Sequence, residues 1–138
     1  MAKPGSLWMR ILRVVMFMAV IGVAVSLFAI WKMGAWNLVF PDNSHDTVAP
    51  VIPADLASPA GLVFSKTNGF RHVEGIAGGA KALQAITSKH RWGMFYTENG
   101  AVFNEQDLAR FDVVVFLNAS GDMLSDAQES AFQSWLTA

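Results

Sequence analysis

The residues best suited to chemistry are gathered in Thr67-Asn68-Gly69-Phe70-Arg71-His72. A guanidinium presents directed N–H donors that suit a carboxylate or a polyhydroxyl ligand, and an imidazole exchanges protons near neutral pH. Arg71 is thus a candidate ligand clamp and His72 a candidate general acid/base. The same residue types also serve structure. Arg71 can pair with Glu74 or Glu98, and His72 can cap a helix that starts just after it. From the residues alone both readings stand.

For this loop to present its side chains, a strand must lead into it and a helix must follow. Leu62–Ser65 is a short apolar run suited to a buried strand. Ile76, Ala80, Leu83 and Ile86 recur at helical spacing and predict a helix from about Gly75 to Lys89. Lys89, His90 and Arg91 close it with charge that complements the helix dipole. Gly93–Thr97 predicts a second strand, and Asn104 is placed to cap a short helix running to about Arg110. Val113–Leu117 lacks polar alternation and reads as a third strand buried on both faces. Ser125-Asp126-Ala127-Gln128 is a capping box, followed by Ala131, Phe132 and Trp135 on one helical face. Three βα steps imply an α/β fold with a parallel sheet, strand one lying between strands two and three. In such sheets ligands sit outside the carboxyl ends of the strands, which is where Thr67–His72 falls.

Other chemistries fit less well. Ser65-x-Thr67-x-Gly69 partly resembles a flavodoxin phosphate loop, but Asn68 is an extra residue and Phe70-Arg71-His72 replaces the needed hydroxyls. FMN is therefore not expected. A phospho-acceptor receiver domain needs an Asp after the third strand and acidic residues after the first, whereas Asn118 and Ser65-Lys66 stand there. No P-loop occurs. His45 lies near Asp42 and Asp46, yet a metal site needs several ligands converging in a held geometry. Neither a metal nor an organic cofactor is expected. The net charge of −1 and the excess of acidic over basic residues after residue 61 argue against nucleic acid as a partner. The absence of cysteine removes disulfides, thiolate ligands and a thiol nucleophile.

The N-terminal part has a different character. Val14–Trp31 carries no charge, and at about 1.5 Å per residue it approaches the ~30 Å of bilayer hydrocarbon. Trp8 and Trp31 flank it, so residues 8–31 are expected to contact the membrane. Lys3, Arg10 and Arg13 precede the run and only Lys32 follows closely, which predicts a cytoplasmic N-terminus. A cleaved signal peptide would have a shorter apolar core and a small-x-small site, whereas Phe28, Ile30, Trp31 and Trp36 crowd this one. Residues 1–32 are read as a single-pass signal anchor in the cytoplasmic membrane. Residues 33–61, with Pro41, Pro50, Pro53 and Pro59, are read as a semi-stiff linker. Residues 62–138 form the α/β domain, placed on the periplasmic or outer side.

The runs LVFSKTNGFRH (62–72), AGGAKALQAI (77–86), Thr97-Glu98, Ala101-Val102-Phe103 and VVVFLNASGDML (113–124) resemble the ThuA-like, or trehalose-utilisation, family. The resemblance covers nearly all of residues 62–138. It implies a flavodoxin-like fold related to class I glutamine amidotransferases, and a site at the strand ends with sugars or oxidised sugar derivatives as ligands. In that site Thr67, Arg71, Asn118, Gly121 and Asp122 would contact ligand, with His72 as acid/base. Val73-Glu74-Gly75 departs from the family's more usual Asp-Ser pair after His72. The family continues with a further buried strand after the third helix, so residues 62–138 are expected to be an incomplete, C-terminally truncated domain. Three readings follow: a sugar-directed enzyme, a non-catalytic carbohydrate-binding or interaction module, and an inactive fragment. The charge asymmetry around Val14–Trp31 predicts that a reporter fused after Ala60 is active only if it is of the extracytoplasmic type; activity of a cytoplasm-only reporter there overturns the orientation.

Overall fold

Leu62 and Phe64 stand two residues apart, on the same face of an extended chain. Both are fully buried at 0 % exposure. Their strand, β1 (Ala60–Phe64), is central because its apolar residues need cover on both faces and pairing on both edges. In the computed structural model, which describes residues 5–138, β1 pairs in parallel with β2 (Gly93–Thr97) and with β3 (Val113–Phe116). Leu62 stands opposite Phe95 on one side and Val114 on the other. The order β2-β1-β3 is the expected one. The fold is α/β with a three-stranded parallel sheet.

The helices divide between the two faces by strand parity. Phe95 and Val114 join Leu62 and Phe64 in one cluster, together with Val102, Phe103, Leu108, Phe111 and Leu124. The short helix α4 (Glu105–Leu108) and α5 (Asp126–Leu136) cover this face, α5 contributing Phe132 and Trp135. Phe103 packs edge-on against Phe64 with centroids 4.9 Å apart and edge-on against Phe132 at 5.5 Å. Each such ring removes apolar surface worth roughly 1.5–3 kcal/mol from water. On the opposite face lies α3 (Val73–His90), whose Thr87 meets Met94 and whose Gly79 abuts Leu117. Two caps act as anticipated. Asn104 accepts from Asp107 N at 2.9 Å, and Ser125 with Gln128 closes a reciprocal capping box on α5.

One expectation is corrected. β3 is not buried on both faces: Val113 is 48 % and Phe116 41 % exposed. Being apolar does not cover a strand, and β3 occupies an edge of the sheet where only β1 pairs with it among the described residues.

The chain divides into two compact units at the Met33–Gly34 step. The first is the helix α1 (Gly5–Lys32). Its stretch Leu7–Lys32, 26 residues containing an 18-residue window of mean hydropathy 2.6, is long and apolar enough to cross a membrane, by length and composition. Lys3, one of the basic residues used to orient it, lies outside the described residues. The second unit carries the sheet, and it includes the proline-punctuated stretch and a one-turn helix, α2 (Trp36–Val39). Ile52 of that stretch is buried in the core cluster, and Arg110 donates to the carbonyls of Ile52 and Pro53.

Since Phe64 is enclosed by aromatic neighbours that cannot collapse around a methyl group, Phe64→Ala should cost about 3–5 kcal/mol. Val113→Thr, at the open edge, should change stability by no more than about 0.5 kcal/mol. Denaturant unfolding of both variants checks this, and equal losses would show that the core is not centred on β1.

Candidate functional site

After Phe64 the chain leaves the sheet without leaving its neighbours. Ser65 N still donates to Thr97 O at 3.1 Å, and the buried Ser65 hydroxyl bonds the Tyr96 hydroxyl. Thr67 then forms an isolated parallel bridge with Ser120. Asn68 N and Gly69 N both donate to Ser120 O, at 2.9 and 3.0 Å, while Ser120 N donates to Lys66 O at 3.2 Å. Ser120 Oγ donates to Phe70 O at 2.7 Å, and Asn68 Nδ2 donates to Asp122 O. The loops after β1 and β3 are thereby locked together. β1→β2 and β2→β3 run in opposite senses, so this junction lies at the topological switch point of the sheet. Gly121 has φ +81°, and any side chain there would run into Gly69 N, so glycine is required on both counts.

Arg71 is held within the loop. Its Nη1 donates to Thr67 Oγ1 at 3.0 Å and to Glu98 Oε2 at 2.9 Å, and Nη2 donates to Glu98 Oε1 at 2.7 Å. The hydrogen-bonded Glu98 carboxylate, working against desolvation, raises the guanidinium pKa further above its usual value. Nε–H and one Nη2–H have no partner among the described residues and remain for a ligand.

His72 is the N-cap of α3, its Nδ1 accepting from Gly75 N at 3.1 Å. An accepting Nδ1 carries no proton, so the neutral ring carries it on Nε2. The ring is exposed, with Phe70 edge-on at 6.2 Å. In this state His72 offers a hydrogen-bond donor at Nε2, and it can pick up a second proton only by giving up the cap. Asn118 adopts φ 49°, a left-handed conformation that Asn tolerates, and its amide lies against Gly75. The structure thus brings Thr67, Arg71, His72, Asn118, Gly121 and Asp122 to one end of the sheet. It also ties Arg71 to Glu98 and His72 to the helix start.

Residues 42–48 join the same end of the sheet, which sequence reasoning missed. Lys66 Nζ donates to Asp46 Oδ2 at 2.6 Å and to Ser44 O at 3.1 Å. Gly100 N donates to Asp46 Oδ2 at 2.8 Å, and Gln128 Nε2 donates to Asp46 O at 2.8 Å. Asn99 Nδ2 donates to Val48 O at 3.0 Å, and His45 Nε2 lies 3.3 Å from Asp122 Oδ1. The segment therefore touches the loops after all three strands. The Lys66 side chain is only 13 % exposed, and a cation so covered requires a partner. Burial pushes the Asp46 carboxyl up, but Lys66 and the Gly100 N–H more than offset this and hold its pKa below the usual 3.8. The acidic residues around His45 are the only hint of this docking in the sequence. Among the described residues, no group of three or more His, Asp or Glu converges in a metal-ligating arrangement.

The family model ThuA, trehalose utilisation, matches residues 61–138. No curated protein and no solved structure matches the chain.

A depressed carboxyl pKa stabilises the fold fully above the unfolded value of 3.8 and ceases to do so as pH falls through the lower folded value. From about pH 4 downward the native protein should therefore lose stability that Asp46→Asn, already weakened at pH 7, does not lose. Thermal unfolding of both proteins across that range reads this directly, and parallel pH curves would exclude Asp46 as the clasp.

Proposed function

The chain belongs to the ThuA, trehalose-utilisation family, and on that footing we propose that its domain binds a sugar or an oxidised sugar derivative where the β1 and β3 loops interlock. The observation that carries this reading is the set of polar groups left open at that junction. His72 Nε2–H, the remaining Arg71 donors, the Asn118 amide and the Asp122 carboxylate supply both donors and acceptors, as a ligand dense in hydroxyls requires. The exposed Phe70 ring beside His72 adds an apolar surface for a ring face. Arg71, steadied by Glu98, suits a carboxylate of an oxidised sugar through its free edge.

The tautomer of His72 bears on the choice between binding and turnover. A ring that caps a helix through Nδ1 donates readily at Nε2, toward a hydroxyl or carbonyl oxygen. It serves a binding module as it stands; to act in an enzyme as the acid that protonates a departing oxygen, the ring would first take a proton at Nδ1 and release the cap. In the full proposal residues 1–32 anchor the protein in the cytoplasmic membrane with the N-terminus inside. Residues 33–61 connect the anchor to the domain of residues 62–138, which faces the periplasm. The apolar length of α1 supports the anchor.

With trehalose, glucose and gluconate as probes, titration calorimetry on the full chain in detergent should detect binding of at least one. His72→Ala should weaken that binding about 2- to 10-fold, the loss expected for one hydrogen bond. If product forms, the same variant should lose turnover by a larger factor than affinity. Absence of binding of all three probes, or affinity indifferent to His72, overturns the proposal.

A further inference from the structure

Residues 42–48 precede the family domain in sequence but share its strand ends in space. Their position is set by four residues from three parts of the fold. Lys66 and Asn68 hold the Ser44 carbonyl at 3.1 and 3.3 Å, Gly100 N and Lys66 hold the Asp46 carboxylate, and Gln128 at the start of α5 holds the Asp46 carbonyl at 2.8 Å. Every one of these bonds uses a backbone carbonyl or Asp46. His45, between them, uses none of its capacity on the clasp.

Its single side-chain hydrogen bond among the described residues is Nε2 to Asp122 Oδ1 at 3.3 Å. A carboxylate only accepts, so Nε2 carries the proton and Nδ1 of the neutral ring is an acceptor. Nδ1 has no hydrogen-bond partner among the described residues, and the side chain is 27 % exposed. An imidazole whose N–H is fixed by a carboxylate and whose other nitrogen is free has the arrangement of a proton acceptor. His72 has the opposite arrangement, its Nδ1 engaged by Gly75 N and its Nε2–H free.

The two rings flank the two ends of one loop. His72 stands by Asn118, since a Cβ on Gly75 would lie 2.8 Å from Asn118 Nδ2 and 3.0 Å from His72 Nδ1. His45 stands by Asp122. At most roughly 14 Å of chain separates Asn118 from Asp122, and the turn at Gly121 shortens this, a gap that one small polyhydroxylated molecule can bridge.

We propose that residues 42–48 are a wall of the ligand site and that His45, oriented by Asp122, is its hydrogen-bond and proton acceptor, complementary to the donor His72. This rests on the sugar-binding reading above and adds to it a residue outside the family domain. Asp46 and Lys66 act as positioning residues that fix the wall, and one ligand hydroxyl would donate to His45 Nδ1 while another accepts from His72 Nε2–H.

The chain has three histidines, and the third, His90, ends α3 beside Trp92. It is a built-in control. Ring-nitrogen NMR of the full chain in detergent, titrated with trehalose, glucose and gluconate, should show His45 Nδ1 and His72 Nε2 moving with the same half-saturation concentration while His90 stays still. His45→Ala should then weaken the His72 response about 2- to 10-fold. The wild-type shifts do not depend on how that variant folds. If His72 responds and His45 does not, the sugar-binding reading survives and this inference is overturned. If neither responds to any probe, or if all three histidines respond alike, both are overturned.

Discussion

The structure depends on one carbonyl. Ser120 O accepts from both Asn68 N and Gly69 N, and that forked bond turns two loops into a single platform. It forms because β1 is the middle strand, so the loop that leaves it runs beside the loop that leaves β3 for several residues beyond the sheet. The close approach requires the left-handed backbone of Gly121. Everything polar at the strand ends, from Arg71 to Asp122, takes its position from this lock.

Around the platform, positive charge is met locally by negative charge from another segment. Lys66 and Arg71 both follow β1, and each reaches a carboxylate distant in sequence, Asp46 and Glu98 respectively. The two pairs differ in environment. Arg71 and Glu98 are each about two-fifths exposed, so their fork contributes geometry more than stability. Lys66 is far more covered, and leaving it unpaired would carry a desolvation cost that a surface charge does not incur. The first pair therefore aims a guanidinium, whereas the second fastens a segment of chain.

The covered and open faces of the sheet follow the same logic of supply. The face carrying Leu62 and Phe64 is filled by aromatic rings drawn from three elements and the loop at Phe103. At the free edge of β3, Phe116 packs on Phe64, Phe103 and Phe132 yet remains partly in water, as does Val113. Apolar edge strands of this kind are sites that proteins ordinarily cover or charge.

Much of this was legible in the sequence because the signals are local. The strand at Gly93–Thr97, a helix from about Gly75 to Lys89, the caps at Asn104 and Ser125, and the strand order all follow from periodicity, capping chemistry and the short βα connections. The motif residues likewise mark the family. What the sequence left open was the choice between partners at equal chemical standing: Arg71 with Glu74, with Glu98, or with a ligand, and His72 as cap or free base. Distances give the partners within the protein, Glu98 for Arg71 and Gly75 N for His72, and hydrogen bonding at one ring nitrogen decides what the other can do. Residues 42–48 were hidden for another reason. They have no repeat to announce a helix or strand, and apart from the Asp46 carboxylate they are held by backbone carbonyls that every sequence possesses. Only the tertiary fold, by bringing Lys66, Gly100 and Gln128 to one spot, gives that stretch a place.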